Sequence, residues 1–134
     1  MRRMTMVLAA LASLACFSAG LALADAGHGS VKPTATIGEL VDMGCYVAHG
    51  AKGEKHADCA AKCVAGGMPM GVLTPAGDLY LLTMDHANPD AYNKVKELVG
   101  KRVKVNGPIH AKNGVKTIDV LSAEAMPAAT TSKS

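Results

Sequence analysis

The sequence predicts a small, mainly β domain: a five-stranded OB-like barrel with two short helices and a Cys/His-bearing helical insertion after the first strand. Three observations support this. Short apolar runs alternate with polar residues at a period of two and are bounded by Gly, Pro and Asn. Two stretches carry the start and stop chemistry of helices. The chain is also short, 134 residues with three Tyr, one Phe and no Trp, so it can build one modest core and gains from a staple.

The ends set the limits of that domain. Arg2 and Arg3 precede an apolar run from Val7 to Leu23, and Ala22-Leu23-Ala24 offers the small residues of a cleavage site, so residues 1–24 read as a signal peptide. The expected destination is the periplasm or the exterior. A lipid on Cys16 is the competing reading, disfavoured by Ser13 where an aliphatic residue is usual. The apolar run is short and interrupted by Ser13, Ser18 and Gly20, so no transmembrane span is expected in the mature chain. Residues 25–33 read as a flexible lead-in containing His28, 34–122 as the OB-like domain, and 123–134 as a flexible tail. Loss of Arg2 and Arg3 would take the formal charge from +3 to +1, which gives a nucleic acid little to bind.

Thr34 to Met43 reads as the first strand, with Ile37, Val41 and Met43 on one parity and Gly38 placed for a bulge or curl. His56 to Ala65 is the first helix, closed by Gly66-Gly67 with Gly66 in the left-handed position. Strands over Gly71 to Thr74 and Leu79 to Met84 flank the turn Thr74-Pro75-Ala76-Gly77-Asp78. Asn88 caps a second helix with Pro89 in its first turn, a buried stripe of Tyr92, Val95, Leu98 and Val99, and Gly100 at its end. Arg102 to His110 and Val115 to Leu121 are the last strands, joined through Asn113-Gly114. Lys101, Arg102 and Lys104 are the solvated side of the first of these. Five strands with a helix between the third and fourth is the OB order.

The pattern GELVDMGCY, then HGAKGEKHADCAAKC, GGMPMGVLT and LYLL, resembles a group of small secreted bacterial OB-fold-like proteins of undefined activity. That resemblance implies the architecture and nothing about chemistry.

Chemistry is expected where Cys45, His49, His56, Cys59 and Cys63 crowd into nineteen residues. On a helix His56, Cys59 and Cys63 fall at i, i+3 and i+7 and share a face. Cys45, at the end of the first strand, is separated from Cys59 by a loop of thirteen residues, long enough to fold it over that face. Thiolates with imidazole suit zinc or copper, so Cys45, His56, Cys59 and Cys63 are the expected ligands, with His49, Met68 and Met70 as weaker ones. His86 reads as part of a turn and His110 as a strand flank.

An alternative is a disulfide from Cys45 to Cys59 or Cys63, typically worth about 3 kcal/mol for such a loop, stapling a module that binds a protein or envelope ligand. A periplasmic thiol-redox protein is a third reading. No Cys-x-x-Cys-His or Cys-x-x-Cys occurs, which removes c-type haem and thioredoxin-like exchange. Nothing supplies a third group for a Cys–His nucleophile, so the residues give no positive case for an enzyme.

Overall fold

A computed structural model describes residues 31–127. Residues 1–30, which include the expected signal peptide, Cys16 and His28, and residues 128–134 lie outside the described residues. The architecture is mixed α/β: one seven-stranded sheet with three short helices. The strands are β1 (Thr34–Asp42), β2 (Met70–Leu73), β3 (Leu79–Met84), β4 (Arg102–Gly107), β5 (Ile109–Lys112), β6 (Val115–Val120) and β7 (Ser122–Ala125). The helices are α1 (Met43–His49), α2 (Ala57–Ala65) and α3 (Pro89–Val95), with 3-10 turns at Glu54–His56 and Lys96–Leu98.

The order across the sheet is β5-β6-β3-β2-β1-β4-β7, antiparallel except for the parallel β3–β6 pair. In place of the five strands expected of an OB-like barrel, the described residues form a seven-stranded open mixed sheet, with the expected helical insertion after β1. Two causes are visible. Pro108 lacks an N–H and splits the expected Arg102–His110 strand into β4 and β5, which stand near opposite ends of the hydrogen-bonded order. Ser122–Ala125, which runs from the expected domain end into the expected tail at 123, pairs with β4 in the register Val105↔Ala123 and forms a seventh strand.

β1 serves two neighbours: Thr34 to Glu39 pairs with β4 and Glu39 to Asp42 with β2, so the strand turns from one to the other beside Gly38. A Cβ at Gly38 would lie 2.4 Å from the Leu73 carbonyl oxygen, so the curl expected there does need glycine. The buried parity, however, is Thr36, Gly38, Leu40 and Asp42, while Ile37 is exposed. Of the other parity, Ile37, Val41 and Met43, Val41 is buried as well and Met43 half-buried, so both faces of the strand are covered at its α1 end.

The core is one cluster: Leu40, Met70, Val72 and Leu82 from the first three strands, Val103, Val105, Ile118 and Val120 from later ones, Ala60 and Val64 from α2, and Val95 and Val99 beside α3. The apolar stripe expected on α3 thus points inward, with Tyr92 and Leu98 at its margin. Asn88 makes no side-chain cap; its amide donates to the Leu121 carbonyl at 3.3 Å and ties the helix start to the end of β6. At the end of α2 the left-handed residue is Gly67 (φ 101°), one position beyond the one expected. Asn113 and Gly114 are both at positive φ, 52° and 83°, as a two-residue hairpin requires.

Candidate metal centre

The centre is built at the end of β1, where the chain leaves the sheet for a two-helix excursion and returns as β2. Inner parity buries Asp42 completely, and its carboxylate Oδ1 accepts the Cys45 backbone N–H at 2.8 Å. That hydrogen bond caps α1 and starts a helix where the sequence reads as strand end. Cys45 is therefore in the first turn of α1, not at the end of a strand. Gly50, at φ 67°, closes the helix with its N–H bonded to the Tyr46 carbonyl at 2.7 Å. The chain then reverses through Gly53, whose N–H donates to the Glu39 carboxylate and fixes the loop to β1.

α2 is held by its inner face. Ala60 and Val64 are buried in the core, and Gly100 approaches the first turn so closely that a Cβ on it would lie 2.6 Å from that of Ala57. With that face fixed, Cys59 and Cys63, one helical turn apart, meet Cys45 coming from α1. The three sulfurs lie within 4.8 Å of one another, and all three thiols are free. Cys59 is exposed; Cys45 and Cys63 are half-buried.

A second trio shares one member with the first: Asp42, Cys45 and His56 also bring their donor atoms within 4.8 Å. His56 Nε2 stands 3.2 Å from Asp42 Oδ2. The expected ligand His56 is thus at the centre, but grouped with Asp42 and Cys45 and not with the other two sulfurs. The Cys45 thiol is pushed up from its ordinary 9.0 to about 12, first by its hydrogen bond to the Asp42 carboxylate, then by burial and by the Cys63 sulfur. Without a cation, the pocket keeps this proton.

No protein-family model, curated protein or solved structure matches this chain. The site must be read from its own atoms.

The weaker candidates separate. His49 is exposed at the end of α1 and belongs to neither trio. Met70 is fully buried in the core, so it is filler. Met68 stays close: its N–H donates to the Cys63 carbonyl at 2.9 Å, and its sulfur packs where a Cβ on Gly44 would fall, 2.6 Å away. His86 is exposed near the start of α3, and His110 pairs with Asp119 at 3.2 Å on β5 and β6, away from the centre. Asp42 is the residue the sequence reading passed over. Its signal was an Asp three residues before Cys45, in the cap position of a helix, but the strand expected over Thr34 to Met43 left no helix there for it to cap.

The arrangement offers three soft sulfur donors, a carboxylate and an imidazole around half-buried space. Such a set suits a soft or borderline cation.

Proposed function

We propose that this chain is an exported small protein that binds copper or zinc through Cys45, Cys59 and Cys63, with Asp42 and His56 beside them, on an OB-like scaffold. The observation that carries the reading is the mutual approach of three sulfurs within 4.8 Å from two different helices. Tetrahedral zinc with sulfur ligands at about 2.3 Å sets those sulfurs about 3.8 Å apart, a spacing this cluster reaches with small side-chain shifts. A structural disulfide needs two sulfurs, and this site gathers three with a histidine and a buried carboxylate.

Export is supported by the sequence of residues 1–24, and its consequence is an oxidising surrounding in which a bound metal would protect the thiols. The OB-like scaffold is supported by the pairing of β1 with both β2 and β4, by the parallel β3–β6 pair, and by the single residue that joins β4 to β5. Leu121 N–H also donates to the Asn106 carbonyl at 3.0 Å, bringing the end of β6 against β4.

The test is a native mass of the protein purified from periplasm without chelator or reductant. The expected spectrum shows a chain beginning at Asp25 with zinc or copper bound, released on acidification as the thiolates regain protons. A metal-free mass lighter than the reduced chain by two hydrogens would support the second reading, a disulfide from Cys45 that staples a binding module, which the same proximity of sulfurs favours.

A further inference from the structure

We infer that the centre holds two cations bridged by the Cys45 thiolate: one on Cys45, Cys59 and Cys63, the other on Asp42, Cys45 and His56. This rests on the metal-binding reading above and extends it to stoichiometry and ligand assignment.

Four features of the geometry lead there. Cys45 is the sole member common to the two trios, and its sulfur is within 4.8 Å of the donors of both. A single ion on three sulfurs and His56 would need the imidazole near all of them, yet His56 groups only with Cys45 and Asp42. The 3.2 Å between His56 Nε2 and Asp42 Oδ2 matches two donors on one zinc ion, which at about 2.0–2.2 Å each stand about 3.3 Å apart. A cation can thus take the place of the hydrogen bond between them with little movement, the neutral imidazole then carrying its proton on Nδ1. Asp42 keeps its other oxygen on the Cys45 N–H, so the carboxylate is already oriented from behind, as metal ligands usually are.

Charge points the same way. Three thiolates and one carboxylate carry four negative charges at a site where Asp42 is wholly buried. One divalent ion on the three sulfurs would leave the wholly buried Asp42 carboxylate without a cation of its own, which is costly; two divalent ions neutralise the set. The three thiol protons leave to solvent as the ions bind. The two positions differ in softness: all-sulfur for the first, mixed oxygen, nitrogen and sulfur for the second.

The experiment titrates the reduced, metal-free full chain with zinc alone and reads bound ions by native mass spectrometry. Two zinc ions per chain at saturation are expected. His56→Ala and Asp42→Asn should each stop at one; Asn retains the helix cap, so a lost fold is not the cause. Cys45→Ser should lose both tightly bound ions. Cadmium NMR of the unmutated protein gives an answer that no variant can confuse: two resonances, the all-sulfur one more deshielded, coupled to each other through the shared sulfur. Saturation at one zinc with His56→Ala unaffected would overturn the second position while leaving the three-sulfur reading intact. One zinc weakened equally by His56→Ala and Cys63→Ser would show a single mixed site and overturn the bridge. A chain that takes up neither zinc nor, in a parallel anaerobic titration, Cu(I) would overturn both this inference and the reading it rests on.

Discussion

Cys45 is where the surroundings alter a side chain most. Its thiol is held neutral by the Asp42 carboxylate and by burial, while Cys59 on α2 is open to solvent. In the reduced, metal-free protein, iodoacetamide at mildly alkaline pH should therefore label Cys59 first and Cys45 last, by more than about tenfold in rate, since the thiolate is the nucleophile. Peptide mapping of timed samples reads this; equal rates would mean that the Asp42 contact does not persist. The sign of the pH effect follows from the same shift. A raised value in the fold means the neutral thiol adds stability in full below 9.0, and that contribution is lost as pH climbs toward about 12. Denaturation midpoints over that range should fall more for the metal-free protein than for Cys45→Ala. Cys45, His56, Cys59 and Cys63 were legible as a cluster because helical spacing and chain length bring them together. Asp42 was not, because an Asp at a strand end ordinarily faces solvent, and only the burial of Thr36, Gly38 and Leu40 on its parity reveals its place.

At the scale of elements, the centre depends on how two short helices are held. α1 has seven residues and buries none of them fully, so it is held by the Asp42 cap, the Gly50 turn, the Met43 N–H on the Pro69 carbonyl at 2.9 Å and whatever its cysteine binds. α2 is docked by Ala60, Val64 and the close passage of Gly100 under Ala57. Gly100→Ala is therefore expected to act at a distance. The new methyl would meet Ala57 at 2.6 Å, and Gly100 sits at φ 80°, where a side chain is strained, so the start of α2 must lift. The expected cost is about 1–3 kcal/mol in urea denaturation, together with weaker zinc retention as Cys59 shifts away from Cys45. Loss of stability with unchanged zinc affinity would show that the helix end and the sulfurs move independently. α2 and α3 were readable from Gly and Pro punctuation. α1 was not, since Cys45-Tyr46-Val47 carries the bulky and branched side chains of a strand, and the local cap at Asp42 overrides that preference.

For the whole molecule, the positions of β1, β2, β3 and β6 along the chain were legible from turn chemistry, while the split of β4 from β5, the seventh strand and the pairing across the sheet were not. Ser122–Ala125 has little intrinsic tendency to form a strand; it becomes one because β4 leaves an edge free for it. The excursion between β1 and β2 lies outside that sheet, and its two ends are fixed by pairs such as Asp42↔Met70. A cation there would fasten α1 to α2 across a loop that has few contacts of its own, so binding energy enters directly as folding energy. Zinc at about a hundredfold above its dissociation constant should add about 2.7 kcal/mol, and a domain of this size gains about 4–8 °C in melting temperature for each kcal/mol. The expected rise of about 10–20 °C is reversed by chelator and absent from a variant with Cys45, Cys59 and Cys63 all replaced by Ser. The contrast with a disulfide is then direct. An oxidised chain would be stabilised without metal and would lose that stability to reductant, whereas the metal form loses it to chelator with reductant present. A zinc-induced shift that survived the triple replacement would place the binding elsewhere on the molecule, and the sulfur cluster would revert to a set of thiols gathered by packing alone.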